Sequence, residues 1–170
     1  RFNGTFSDTF KIPEGLYPKA GEGAKIMSLA DPLRKMSKSD ENQNSFVLLL
    51  DKPEDIMRKF KRAVTDSDSR IIVADDKPGV SNLIQIYSLA TGKSVAEIEA
   101  EFAGKGYGDF KPAVGEAVVE MLRPIRETTE DLLKNKDYLE QVYTEGAQRA
   151  NYMARKTLDK VDRKVGFVKR

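Results

Sequence analysis

Apolar residues from about residue 51 onward recur every three or four positions, and this spacing constrains the fold more than any other feature. A 3.6-residue period is typical of helices that bury one stripe of side chains. Before residue 51, the apolar runs are short, and those at 24–30 and 45–50 predict short buried strands or extended segments. Residues 1–44 are rich in turn formers: Gly4, Pro13, Gly15, Pro18, Gly21, Gly23 and Pro32. The sequence therefore predicts a mainly α chain behind an irregular amino-terminal segment.

Local signals place the ends of the first predicted helices. One helix begins near Asp51, where acidic residues fill the first turn and basic residues follow, as the helix dipole favours. A second opens at Ser81 and is ended by Gly92. Ser94 and Glu97 have the spacing of a capping box and start a third.

Two longer helices complete the prediction. One starts at Pro112, after the loop-like GKGYG segment at 104–108, and Pro124 is expected to kink or divide it. The last helix runs from about 137 to 165 and is ended by Gly166. Its inward stripe is expected to comprise Leu139, Val142, Tyr143, Ala150, Met153, Leu158 and Val161.

The chain of 170 residues contains neither Cys nor His. The first absence excludes disulfides and Cys-based sites and fits a reducing compartment. The second excludes catalytic triads and the usual zinc ligands. No run approaches the roughly 18 apolar residues of a membrane span. Any chemistry must therefore depend on Lys, Arg, hydroxyls, carboxylates and backbone amides.

The run Lys-Met-Ser-Lys-Ser at 35–39 is the strongest chemical signal. It places two ammonium groups three residues apart, interleaved with hydroxyls, in a polar stretch between two apolar segments. Such a loop can surround a polyphosphate, with lysines as mobile charges and with hydroxyls and amides as further donors. Without its context, a pair of lysines at this spacing is in most cases only a solvated basic loop.

The pentapeptide KMSKS is the second signature of class I aminoacyl-tRNA synthetases, and its surroundings narrow the resemblance. Five strings resemble the tryptophanyl-tRNA synthetase family, and the resemblance covers almost the whole chain, from RFN at the start to GFVKR at the end. They are GAKIMSLADPLRKMSKSDENQN at 23–44, AVTDSDS at 63–69, KPGVSNLIQIYS at 77–88, and GKGYGDFK at 104–111 with LRPIRE at 122–127. The tyrosyl family is the alternative, since it shares the fold and the loop but not the later strings.

The resemblance implies an organisation into two parts. Residues 1–44 would be the last piece of an α/β Rossmann catalytic domain that carries the KMSKS loop. Residues 45–170 would form a helical, bundle-like domain that binds the anticodon region of tRNA. Because the chain has no His, it lacks the HIGH-type motif of class I enzymes. We therefore expect a carboxy-terminal half, without the tryptophan pocket.

The resemblance also implies roles for individual residues. Lys35 and Lys38 look like the catalytic phosphate ligands, with Lys38 following the departing pyrophosphate. ATP would also be bound by Met36, Ser37 and Ser39 of the loop and by the backbone of Ile26, which matches the position beside adenine. Asp40 is expected only to cap the loop.

The implied function is that of a tryptophan–tRNA ligase. The whole enzyme would use ATP with Mg²⁺, as substrate, to convert L-tryptophan to tryptophanyl-adenylate, and would transfer it to tRNA(Trp). A cytoplasmic homodimer without membrane or DNA partners is expected. This chain alone should be inactive, because half of the site is missing.

Two basic segments are candidates for tRNA contact. Residues 149–170 hold eight bases and two acids. The RKFKR run at 58–62 is an equally good candidate for the electropositive face. Charged helical runs are commonly no more than solvated faces. A non-catalytic RNA-binding module derived from a synthetase is a further alternative, although such a module has no use for a pyrophosphate-binding loop.

Overall fold

The computed structural model describes residues 1–18, 23 and 25–167. Over these residues the chain is mainly helical, as the helical period predicts, and it contains no β-strand. The helices are α1 (Phe2–Phe6), α2 (Pro53–Arg62), α3 (Pro78–Thr91), α4 (Val95–Glu101), α5 (Tyr107–Lys134) and α6 (Lys136–Val165).

The chain divides into two compact units. The central unit comprises residues 17–128, and the terminal unit comprises residues 1–16 and 129–170. The predicted boundary at 44/45 lies between the end of a Rossmann catalytic domain and a helical tRNA-binding domain. It stays a prediction.

The hydrophobic core lies in the central unit and contains side chains from α2 to α5. Three of its rings, Tyr87, Phe102 and Phe110, pack edge to face with centroids 4.9 to 6.1 Å apart, a favoured geometry for aromatic pairs. The fully buried large apolar side chains are Leu29, Ile56, Phe60, Val80, Leu83, Ile84, Ile98, Phe110 and Val114.

Two glycines allow close approaches within this core. A Cβ added at Gly79 would lie 2.2 Å from the carbonyl oxygen of Val64, and one at Gly115 would lie 2.8 Å from the sulfur of Met57. Any side chain at Gly79 would collide with backbone, which cannot move aside as a flexible side chain can. Glycine at 79 therefore lets the start of α3 contact the segment that follows α2.

Several predicted helix ends are confirmed. Ser94 and Glu97 form the capping box of α4. Gly92 and Gly166 adopt left-handed conformations at the carboxyl ends of α3 and α6, with φ of 75° and 85°. Each of these helix ends is determined by a few neighbouring residues, so it can be predicted from the sequence.

The predicted starts of three helices need correction. α2 begins at Pro53 rather than Asp51, and α3 begins at Pro78 rather than Ser81. α5 begins at Tyr107 rather than Pro112, so the loop ends at residue 106, and the helix continues past Pro124 without being divided. Tertiary contacts explain the early start of α5, since the Tyr107 hydroxyl donates a hydrogen bond to Asp66 and Phe110 is completely buried.

The predicted buried strand at 24–30 does not form among the residues that the structure describes; Ala24 lies outside them. The second run, at 45–50, is predicted as a short extended segment and forms neither helix nor strand. Met27 and Lys35 form an isolated antiparallel bridge. In the second run, Phe46 is buried but Leu48, Leu49 and Leu50 are exposed. A strand needs one neighbour along its length, whereas the backbone of the first run bonds to several separate partners: Met36, Arg34, Ser45 and Val64.

The predicted inward stripe of α6 is also wrong. Val142, Tyr143, Met153 and Leu158 are 47 to 69% exposed, Ala150 is exposed, and Leu139 and Val161 are half-buried. Helical spacing shows which side chains share a face, but it does not show whether another part of the chain covers that face.

Replacing Ser94 by Ala should lower the free energy of unfolding by about 1 kcal/mol, the usual cost of losing an N-cap. The Ser94 side chain accepts a hydrogen bond from the Glu97 amide, and the Glu97 carboxylate accepts hydrogen bonds from the amide and hydroxyl of Ser94 at 2.8 and 2.7 Å. Urea unfolding at pH 7 measures the loss. The exposed loop residue Ser67 provides the control, and Ser67→Ala should change stability by less than about 0.5 kcal/mol; equal effects would contradict the capping role.

Candidate functional site

The segment containing residues 35–39, here called the lysine loop, is held at its base by backbone hydrogen bonds. The Met36 amide donates to the Ile26 carbonyl at 3.0 Å, and the Ser28 amide donates to the Arg34 carbonyl at 2.8 Å. Between these two bonds, Met27 and Lys35 form the isolated bridge. The base of the loop is thus a very short hairpin that ends at the first lysine.

Short polar side chains shape the loop itself. The hydroxyls of Ser37 and Ser39 lie 3.0 Å apart, and the Asp40 amide donates to the Ser37 carbonyl. Beyond the loop, the Asp40 carboxylate accepts from the Asn42 amide, and the Asn42 side chain accepts from the Asn44 amide. Such local bonds stabilise turns without regular secondary structure, and they agree with the expected capping role of Asp40.

The predicted site residues divide into an exposed group and a packed pair. Lys35, Ser37, Lys38 and Ser39 are exposed, whereas Ile26 and Met36 are half-buried against the hydrophobic core. Among the described ion pairs, none involves Lys35 or Lys38. The loop therefore presents two ammonium groups and two hydroxyls to solvent from an anchored base, an arrangement suited to a polyphosphate.

Two anchors of the loop base were missed by the sequence analysis. The buried side chain of Asn82, on α3, hydrogen bonds to both the amide and the carbonyl of Met27. Leu29 is held by its amide, which donates to the Ser45 carbonyl, and by its carbonyl, which accepts from the Val64 amide. In the sequence, Asn82 is one of several polar residues of its helix, with Ser81 and Gln85 close by, so nothing distinguishes it.

A buried ionic cluster lies elsewhere in the central unit. The Lys77 ammonium is 3.0 Å from a carboxylate oxygen of Asp66 and of Asp68, and it donates to the Tyr107 hydroxyl at 3.1 Å. The Lys77 side chain is only 2% exposed. The members of this cluster lie in three separate strings of the sequence, AVTDSDS, KPGVSN and GKGYG. The cluster was therefore not predicted.

The cluster shifts the pKa values of its members. Burial alone would raise the pKa of Asp66, but hydrogen bonds from Tyr107 and Lys77 outweigh it and lower that pKa. The hydrogen bond from Lys77 strongly lowers the pKa of Asp68. Burial opposes the charge on Lys77, yet its hydrogen bonds with Tyr107 and the two carboxylates raise its pKa well above the usual value. All three groups therefore stay charged at neutral pH.

The two basic segments differ in how much charge they expose. In the RKFKR run, Lys59 is buried, and its ammonium lies 2.6 Å from Asp51 and 5.2 Å from the centroid of Phe46. That run therefore presents one base fewer than the sequence suggests. In the segment 149–170 the described bases are exposed, namely Arg149, Arg155, Lys156, Lys160, Arg163 and Lys164; Lys169 and Arg170 lie outside the described residues.

The described part of the chain holds no group of three or more carboxylate, His or Cys side chains placed to bind a metal ion. None of its helices is both long enough and apolar enough to cross a membrane.

Comparison with known proteins identifies the relatives of this chain. It is 52% identical over 168 residues to the tryptophan–tRNA ligase of Clostridium acetobutylicum, and 46% identical over 168 residues to that of Bacillus subtilis. These matches cover 99% and 98% of the chain but 50% of each ligase. The chain therefore spans about half the length of the curated relatives it matches.

Solved structures agree with these relatives. The tryptophanyl-tRNA synthetase of Mycoplasma pneumoniae superposes with a TM-score of 0.82 at 30% identity, over 98% of this chain and 50% of that one. The enzyme of Campylobacter jejuni, at 24% identity and a TM-score of 0.67, supports the fold alone. The resemblance to tryptophanyl-tRNA synthetases is confirmed. The family model described as tRNA synthetases class I (W and Y) matches residues 1–123, and the chain therefore belongs to the class I tRNA synthetases of the tryptophan and tyrosine type.

Proposed function

We propose that this chain is the carboxy-terminal half of a tryptophan–tRNA ligase and supplies its pyrophosphate-binding loop. The exposed pair Lys35 and Lys38, on a loop whose base is anchored to the core, is the observation that carries the proposal. The names of the relatives support tryptophan over tyrosine and a ligase over a non-catalytic RNA-binding module.

The proposed reaction joins tryptophan to AMP. A carboxylate oxygen of tryptophan attacks the α-phosphorus of ATP, the bond from that phosphorus to the bridging oxygen breaks, and pyrophosphate leaves with Mg²⁺. Negative charge accumulates on the departing group. Lys35 and Lys38 would stabilise this charge more in the transition state than in bound ATP, and only such differential stabilisation accelerates the step.

The remaining loop residues would bind and orient ATP. Ser37 and Ser39 hold exposed hydroxyls 3.0 Å apart, which suits hydrogen bonding to phosphate oxygens. Met36 packs against the core and anchors the loop to it. The Ile26 backbone, bonded to the Met36 amide, would lie beside adenine at the base of the loop.

The domain roles and partners complete the proposal. Residues 1–44 would end the Rossmann catalytic domain, and residues 45–170 would contact the anticodon region of tRNA(Trp). The exposed bases of α6 suit phosphate contacts, which supply much of the affinity for nucleic acid. The whole enzyme would be a cytoplasmic homodimer.

A chimeric ligase tests the function. In it, this chain replaces the matching half of the Clostridium acetobutylicum enzyme. We expect the chimeric ligase to catalyse tryptophan-dependent exchange of pyrophosphate into ATP and to charge tRNA(Trp). The isolated 170-residue chain should catalyse neither reaction, because a loop alone cannot position tryptophan and ATP.

The controls are the Clostridium half without this chain and the intact parent ligase. A chimeric ligase that binds tryptophan but shows no exchange would contradict the proposed function. Exchange by the isolated chain would show that the site does not need a second half.

A further inference from the structure

The side chain of Asn82 makes a two-point contact with the base of the lysine loop. Its Oδ1 accepts a hydrogen bond from the Met27 amide at 2.9 Å, and its Nδ2 donates to the Met27 carbonyl at 2.9 Å. Asn82 itself is 4% exposed. A primary amide that binds both polar groups of one residue imitates a neighbouring strand and fixes the orientation of that residue as well as its position.

Met27 lies opposite the first lysine of the loop. It forms the isolated bridge with Lys35, flanked by the bonds of Ile26 to Met36 and of Ser28 to Arg34. Asn82 thus contacts the lysine loop through one intervening residue. The helix that carries it is firmly placed, because its neighbours Leu83 and Ile84 are buried to 1% exposure or less.

The base of the loop has other attachments that do not involve Asn82. Leu29 is bonded at its amide to Ser45 and at its carbonyl to Val64, and its side chain is 2% exposed. Loss of the Asn82 amide should therefore let Met27 and Lys35 shift without unfolding the segment. Displacements of about 1 Å at a reacting centre can lower rates by roughly 100-fold.

We propose that Asn82 is a positioning residue for tryptophan activation, which sets the place of Lys35 through Met27 without touching ATP. The proposal rests on the proposed function of the lysine loop. It links a residue in the helical core to the pyrophosphate-binding group across 55 residues of sequence.

Steady-state pyrophosphate exchange in the chimeric ligase tests it. Asn82→Ala should lower kcat by about 10- to 100-fold and leave the KM for tryptophan within twofold. Ser81→Ala is the matched control. Ser81 is the preceding residue of the helix and also bonds to both polar groups of one backbone residue, Ala74, but not to the lysine loop; its variant should stay within twofold of wild type.

A double-mutant cycle separates positioning from stability. If Asn82 acts through Lys35, adding Asn82→Ala to Lys35→Ala should lower kcat by less than about threefold more. The inference is overturned if the two substitutions lower kcat independently, so that their effects multiply in the double variant. It is also overturned if Asn82→Ala leaves kcat unchanged while Lys35→Ala strongly lowers it. If Lys35→Ala itself has no effect on kcat, the proposed function of the loop fails instead.

Backbone hydrogen exchange in the 170-residue chain supplies a readout without catalysis. Asn82→Ala should remove protection at the Met27 amide and leave the amides of Leu83 and Ile84 protected. Loss of protection at all three positions overturns the positioning role, because Asn82 would then be needed for the fold itself. Unchanged protection at Met27 overturns it as well.

Discussion

Replacing Lys35 or Lys38 by Ala in the chimeric ligase is expected to lower kcat for tryptophan activation by about 100- to 1000-fold, the usual loss for a well-placed donor to developing charge. Both side chains are exposed and outside the described ion pairs, so each ammonium is available to the departing pyrophosphate. Because the stabilisation is made mainly in the transition state, kcat and kcat/KM should fall together while the KM for ATP changes little. Pyrophosphate exchange measured at saturating tryptophan provides both constants.

Arg in place of either lysine should restore only part of the lost rate. A planar guanidinium keeps the charge, but it cannot follow a moving phosphate as a compact ammonium on a flexible stem can. Lys61→Ala provides the matched control, since Lys61 is an exposed lysine on α2, and it should leave kcat within twofold. If both lysine loop variants instead raised only the KM for ATP, in a salt-sensitive manner and with kcat unchanged, the loop would be a basic surface that merely attracts ATP.

The parts of this molecule that could be predicted from sequence are those determined by neighbouring residues. The capping box of Ser94 and the glycine ends at 92 and 166 each depend on a few consecutive positions. The KMSKS loop is likewise a continuous run with a distinctive composition. Its exposure also follows, since a stretch of short polar and charged residues satisfies its own hydrogen bonds locally.

The anchors of the site could not be predicted, because they join positions far apart in sequence. Asn82 is one of several polar residues of its helix, and nothing in its neighbours indicates Met27 as its partner. Lys59 was interpreted as part of a basic surface, but its contact with Asp51 removes it from that surface. Spacing along a helix gives the face on which a residue lies, whereas burial depends on what the rest of the chain brings to that face.

The same reasoning explains the strands and the stripe of α6. Short apolar runs near Met27 have the composition of strands, yet a side-chain amide occupies the place of a neighbouring strand at that residue. The apolar side chains of α6 have helical spacing, yet most of them are exposed. In both cases the sequence indicates the local conformation, but it does not show which part of the chain packs against the segment.

Replacing Lys77 by Met should lower the melting temperature of the chain by roughly 5 to 10 °C at pH 7, because removal of the buried ammonium leaves two partly exposed carboxylates without the cation that they share. Methionine keeps the length of the side chain but removes the cation shared by Asp66, Asp68 and Tyr107. Asp66 should be sensitive to the loss of this cation, since its second carboxylate oxygen is buried without a hydrogen-bond partner among the described residues. Thermal unfolding followed by circular dichroism measures the change.

Lys93 provides the matched control for this prediction. Its ammonium lies 2.8 Å from Glu101 and 5.7 Å from the centroid of Tyr87, much as Lys77 lies 5.8 Å from the centroid of Tyr107. The Lys93 side chain is 42% exposed, however, against 2% for Lys77. Exposed ion pairs contribute little to stability, so Lys93→Met should lower the melting temperature by less than about 2 °C.

The pH dependence of the Lys77→Met effect follows from the directions of the pKa shifts. The pKa values of Asp66 and Asp68 are lowered in the folded chain, so their contribution is present above the unfolded value near 3.9 and is lost as the pH falls below it. The pKa of Lys77 is raised, so its contribution is complete below the unfolded value near 10.4 and is lost at higher pH. The difference in melting temperature between wild type and Lys77→Met should therefore be constant from about pH 5 to 9 and shrink on both sides. A difference that grows below pH 4, or one equal to that of Lys93→Met at pH 7, would show that the cluster does not stabilise the fold through its charges.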